Sequence, residues 1–297
     1  MSNSSYGLLF SVLSPFFSSI ATIFKSGAAK SLTPLIVIVI GGLIGSAILF
    51  VLSKVFHEKI SRRKLKRHWK ELAVMIISRS LLGELFFTIG LSQTDVIKAI
   101  FLTKVEPYFV LLIGWIFLRE KVKPRYFYLL SIHLTGAVLL STKGNFQSVG
   151  KAQVGDLFII IAVALFAFSY RYGKKLAKDV GSISSNAISM GIASLILLPT
   201  LFIFTSPNKI YPVQGWIFLI IYVILFNVLS LTLWYASLKT VKGWIVSSLR
   251  YIGPVLGAPV AYLVFGETLN LIQIIGASLV VITSFLIARE HFRKDKE

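Results

Sequence analysis

Residues 101–110 read "FLTKVEPYFV" and sit inside an apolar run from Val96 to Leu118, long enough to cross a bilayer as a helix. A lysine, a glutamate and a proline at the centre of such a run are costly in hydrocarbon. Whether they are costly here depends on what surrounds them. The 297-residue chain is 56% hydrophobic, 14% charged and has a mean hydropathy of +0.80. A soluble domain of this size needs roughly a quarter charged residues to cover its surface. The apolar stretches also recur at about 20 residues, the length of a membrane-spanning helix. The composition therefore indicates an all-α polytopic membrane protein. With no cysteine in the chain, disulfides, thiolate metal sites and cysteine nucleophiles are excluded.

Charged and Gly/Pro/Asn-marked breaks divide the chain into ten expected spans: 7–24, 34–53, 71–91, 95–118, 125–142, 155–172, 183–205, 214–238, 243–265 and 270–289. The longest connection, "KVFHEKISRRKLKRHWK" at 54–70, is expected to form a short interfacial helix. With the N-terminus inside, the inner loops and tail carry 22 of the 31 Lys and Arg residues. The outer loops carry five (Lys25, Lys30, Lys143, Lys151, Lys209), and Arg79, Lys98, Lys104 and Arg250 lie within spans. This bias places both termini in the cytoplasm and the chain in the plasma membrane. It also explains the net charge of +19 without a nucleic-acid partner, because loop 54–70 faces anionic headgroups. The opening "MSNSSY" lacks Lys and Arg, so the first run reads as a mature helix and not as a signal peptide.

Shifting the chain by 147 positions aligns Pro107 with Pro254, Glu120 with Glu267, Trp115 with Tyr262 and Leu102 with Leu249. Ten helices divide into five and five, with repeats expected at 1–148 and 149–297. An odd number of spans per half forces opposite orientations, an inverted repeat of the kind found in secondary transporters. The stretches "LSQTDVIKAIFLTKVEPYFVLLIGWIFLREKV" (91–122) and "YASLKTVKGWIVSSLRYIGPVLGAPVAYLVFGETLNLIQIIGASLVV" (235–281) resemble the signature region of the drug/metabolite transporter superfamily, EamA type. The second copy keeps Pro254, Gly266, Glu267 and Gly276. The first departs from the pattern at Arg119 and Leu129. The resemblance covers both halves and implies a ten-helix fold with a central cavity between them.

Away from their first and last turns, or close to that as for Lys98, the expected spans carry six charges: Arg79, Glu84, Lys98, Lys104, Glu106 and Arg250. At about 100° per residue, Glu106 and Lys104 point to nearly opposite sides of the fourth helix, so one narrow lumen is not expected to receive both. Arg79 and Glu106 lie almost equally far from the turn near residue 93. They are expected to form a structural ion pair or a proton-coupling pair, with Glu84 facing Lys104 or Lys98. Arg250 is then left without an acidic partner. Lys104, Arg250, Glu84 and Lys98 are the expected substrate-binding charges, joined by Tyr251, Trp234, Tyr235, Asn227 and Tyr170. Pro107 and Pro254 each remove a backbone donor and are expected to kink their helices.

These features point to a secondary transporter of a small polar metabolite bearing a carboxylate or phosphate, working by alternating access with or without proton coupling. No HExxH pair and no GxxxxGK[ST] motif occurs, so neither an enzyme nor a primary pump is expected, and no cofactor or metal. An exporter of amines or drugs whose intramembrane charges are purely structural remains an alternative, as does an ion channel or lipid scramblase. The expected partners are the substrate and the bilayer, for a monomer or a homodimer.

Overall fold

Thr33 and Pro34 show how this chain punctuates its helices. The Thr33 hydroxyl accepts from the Ile36 amide at 3.2 Å, and Pro34 occupies the first helical position, where its missing N–H costs nothing. The computed structural model describes residues 3–58, 61–94, 99, 102–118, 124–142, 145, 153–205, 210–253, 255 and 270–293. Every element among them is helical. In chain order they are α1 (Asn3–Ser31), α2 (Pro34–Val55), α3 (Arg62–Arg67), α4 (Trp69–Gln93), α5 (Glu106–Leu118), α6 (Pro124–Thr142), α7 (Val154–Asp179), α8 (Ser182–Phe204), α9 (Val213–Leu238), α10 (Gly243–Leu249) and α11 (Leu271–Arg293). Among the described residues, α1, α2, α4, α7, α8 and α9 are long and apolar enough to cross a membrane. Large apolar side chains such as Phe117, Phe202 and Phe285 stand exposed on the outside, as lipid-facing residues do.

Two expectations about helix ends are corrected. The first helix does not stop at residue 24 but runs to Ser31, because the small residues Ser26, Ala28 and Ala29 pack tightly in the interior. Lys25, expected in an outer loop, is therefore 2% exposed inside the protein. The sixth expected span, 155–172, extends to Asp179, whose neighbour Lys175 pairs with Glu71 of α4. In loop 54–70 a short helix does form, as α3.

The helix pairs carry a regularity. α2 packs on α8, α6 on α11 and α5 on α10, while α1 packs on α9 and α4 on α7. Replacing each helix by its counterpart 147 residues away maps four of these pairs onto the same set, while the counterparts of α5 and α10 lie largely outside the described residues. The irregular backbone repeats at the same interval. A π-helical stretch occupies Ile76–Gly83 in α4 and Val223–Ser230 in α9. A 3-10 turn occupies Thr103–Val105 before α5 and Arg250–Ile252 after α10. Pro107 accounts for the first turn, since it cannot donate to the carbonyl of residue 103 and its ring crowds that carbonyl. Pro254, expected to do the same for the second, lies outside the described residues.

Candidate functional site

The two 3-10 turns bring their charges to the centre of the molecule. Arg250 Nη1 donates to Glu106, and the Tyr170 hydroxyl donates to the other oxygen of the same carboxylate. Glu106 is 2% exposed. The guanidinium of Arg250 also lies 5.1 Å from the Trp234 ring, and its Nη2 reaches Ser18 Oγ at 3.5 Å. Glu106 is thus paired, but with Arg250 of the ninth expected span and not with Arg79. The cause is the turn at Arg250–Ile252, which aims Arg250 at α5 across the interface of α5 with α10.

Arg79 instead spreads its guanidinium over the rings of Phe166 (4.8 Å) and Tyr235 (5.8 Å). It meets no carboxylate within ion-pair distance among the described residues. Glu84 is likewise paired elsewhere than expected, accepting from Lys25 and not from Lys104. Lys98 lies outside the described residues. Sequence reasoning missed Lys25, although a buried glutamate facing a run of small residues after a lysine was a usable signal.

Lys104 is 5% exposed, its ammonium 5.6 Å from the Tyr251 ring, while the Tyr251 hydroxyl donates to the Lys104 carbonyl. Behind Tyr251 the ring of His133 packs at 4.5 Å, with its Nε2 3.2 Å from Ser284. A small cavity of about 50 Å³ is lined by Lys104, Glu106, Arg250, Tyr251, Arg79 and Ser18 among others. Lys104 and Glu106 therefore reach one lumen together, against the expectation of opposite faces. The 3-10 turn winds about 120° per residue instead of 100°, which narrows the angle between them from about 160° to about 120°.

A second small cavity, about 30 Å³, lies on the other side of Arg79 and is lined by Glu84, Tyr222, Asn227 and Ser80. Asn227 sits in the second π stretch and donates to the Gly41 carbonyl at 3.3 Å, tying α9 to α2. A larger pocket of about 490 Å³ is lined by Tyr170, Arg171, Lys174, Lys242 and Trp244. Tyr170 belongs to that pocket by its ring and to the Glu106 cluster by its hydroxyl. In their ordinary charge states four cations (Lys25, Arg79, Lys104, Arg250) and two carboxylates (Glu84, Glu106) gather at and beside these two small cavities, while a further buried carboxylate, Asp156, lies at the N-terminus of α7 and accepts from Thr94 and the Gln153 amide. The indole N–H of Trp234, beside Arg250, has no acceptor among the described residues.

A buried surplus of positive charge, framed by two matching sets of irregular helices, fits a membrane carrier. The sequence model of the EamA-like transporter family matches this chain twice, over residues 5–142 and 153–289. The chain belongs to the EamA-like transporter family. It is similar to an uncharacterized transporter of Methanothermobacter thermautotrophicus, 22% identical over 80% of this chain and 69% of that one. It is similar to the uncharacterized transporter YoaV of Bacillus subtilis, 25% identical over 82% of this chain and 83% of that one. It is also similar to the pseudopaline exporter CntI of Pseudomonas aeruginosa, 22% identical over 95% and 96% of the two chains. A crystal structure superposes with a TM-score of 0.76 over 97% of this chain and 98% of the other, at 16% identity, and so shares the fold. As an EamA-family membrane transporter, the protein has its candidate site at the Lys104–Glu106–Arg250 cluster.

Proposed function

We propose that this EamA-family protein is a secondary transporter that exports or exchanges a small polar metabolite carrying a carboxylate or phosphate. The observation that carries the reading is the surplus of cations at the central cavity, where Arg79, Lys104 and Arg250 stand against the single carboxylate Glu106, with the Lys25–Glu84 pair beside it. Two carboxylates answer two of the four cations, and an anionic group on the cargo would answer the rest. Lys104 and Arg250 would hold that group, with the Trp234 N–H as a neutral donor. Outward transport is suggested by the resemblance to a relative named as an exporter.

In this reading ten helices cross the plasma membrane as two inverted repeats, 1–148 and 149–297, with both termini cytoplasmic. The pocket at Arg171, Lys174 and Lys242 is then the cytoplasmic vestibule, and the bond from Tyr170 to Glu106 closes its floor. A cavity of about 50 Å³ has room for a few waters, since one water needs about 10–15 Å³, and not for a metabolite. In this reading the cavity must widen for cargo, which enters when Arg250 exchanges Glu106 for the incoming anion. Glu106 released in this way could then take a proton, which is how coupling would arise.

The test is a thermal-shift series on the detergent-purified protein with anionic, zwitterionic and cationic metabolites, repeated with Lys104→Ala and Arg250→Ala. Stabilisation by one anionic or zwitterionic class, lost in both variants, supports the reading. Stabilisation by cations or apolar compounds alone, unchanged in the variants, makes the charges structural and turns the assignment to amine or drug export.

A further inference from the structure

Lys25 is a charged side chain held in the interior six residues before the end of α1, 2% exposed, with its ammonium in a box. The ring of Phe87 lies 4.8 Å away, that of Tyr222 5.1 Å and that of Phe226 6.0 Å, and the Glu84 carboxylate closes the remaining side. Three aromatic faces and one carboxylate are the elements of an organic-ammonium site. Phe87 and Phe226 also line the central cavity, while Glu84 and Tyr222 line the second one. The box thus stands between the two cavities and shares walls with both.

We propose that this box is a binding site for an ammonium group on the cargo, and that Lys25 is a tethered occupant which cargo displaces and which later expels it. The cargo's use of the box rests on the transporter reading above. The exchange swaps one monovalent ammonium for another, so Glu84 is never left as a bare buried carboxylate. Lys25, once displaced, swings toward the Ser31 end of α1. When it returns, it competes with the bound ammonium at an effective concentration no free ion reaches. Together with the anionic site at Lys104 and Arg250, this makes the preferred cargo a zwitterion with separated ammonium and acidic ends.

The chain lacks cysteine, so Lys25→Cys introduces a single thiol into the full protein. Reconstituted in nanodiscs, that variant is expected to gain several degrees of thermal stability from millimolar methylammonium chloride, beyond a sodium chloride control. Alkylation of the thiol with 2-bromoethylamine rebuilds an ammonium of lysine length and is expected to abolish the gain. A second readout uses the wild-type protein and tetramethylammonium, which cannot react with acylating reagents. It should raise acylation of Lys25 by a water-soluble succinimidyl ester several-fold, with exposed Lys30 unchanged. A methylammonium response no greater than that of sodium, a response that survives alkylation, or Lys25 acylation unaffected by tetramethylammonium would each overturn the proposal. Neither readout involves an anion or transport, so failure of the anionic-cargo reading is seen separately, in the Lys104→Ala and Arg250→Ala series.

Discussion

Lys104 and Tyr251 are 147 residues apart and touch: the Tyr251 hydroxyl donates to the Lys104 carbonyl, and the Lys104 ammonium lies over the Tyr251 ring. The same interval separates the two π stretches and the two 3-10 turns. Residues exchanged by a two-fold relation can meet only near its axis, so under the proposed inverted repeat this contact lies at that axis. The two positions carry a cation and a phenol, so the two halves differ in chemistry there. Tyr251→Phe keeps the ring against His133 and Lys104 but leaves a buried carbonyl without its hydroxyl. Unfolding in nanodiscs should show a loss of about 1–3 kcal/mol.

The pairing of Glu106 with Arg250 can be separated from the rejected pairing with Arg79 by two double-mutant cycles. Breaking a buried ion pair by removing one partner costs about 3–5 kcal/mol, because the other charge stays behind. Glu106→Ala and Arg250→Ala should therefore each lower stability by that order, and the double variant by much less than their sum. Glu106→Ala with Arg79→Ala should combine almost additively. A large coupling in the second cycle and none in the first would reverse the assignment.

Apart from Lys25, the sequence exposed the central charges but not whom they meet, and the reason is geometric. Depth along two helices joined by a tight turn makes Arg79 and Glu106 look like partners, and it says nothing about a third helix. The actual partner, Arg250, arrives from 144 residues away on a turn whose tightening no periodicity reveals. Lys25 was misplaced for a related reason. "KSGAAKS" looks like a loop by hydropathy, yet its small residues are what close packing inside a helix bundle requires. Pro107 differs in that its missing N–H acts locally whatever surrounds it, and the 3-10 turn at Thr103–Val105 lies just before it.

Glu58 offers a stability prediction far from the charged centre. Its carboxylate accepts the backbone amides of Ser182 (3.0 Å), Ile183 (3.0 Å) and Ser184 (2.9 Å), and so caps α8 from the loop after α2. Gly181, ahead of that helix, has φ of +120°, a conformation closed to side-chain-bearing residues without strain. Glu58→Ala should destabilise the protein by about 1–2 kcal/mol, as loss of an N-terminal cap does, with transport by the remaining folded protein retained. Glu58→Gln, which keeps an acceptor oxygen but not the charge at the helix N-terminus, should lose less. Equal losses for the two variants would show that the charge contributes nothing.

Lys104→Ala should behave oppositely to Glu106→Ala. The Lys104 ammonium has no carboxylate within ion-pair distance among the described residues, so deleting it removes a buried charge that costs free energy to keep. The unfolding temperature should stay the same or rise. Substrate binding should weaken, because a hydrogen bond to a charged group contributes about 1.5–3 kcal/mol, equivalent to roughly tenfold or more in affinity. The measurement pairs flux into proteoliposomes with unfolding of the same preparation. A Lys104→Ala protein that is stable but transports at the wild-type rate would remove Lys104 from the site and leave Arg250 and Arg79 as the cations that face the cargo. A protein that is both destabilised and inactive would give Lys104 a structural partner, and the charge surplus would then no longer argue for an anionic cargo.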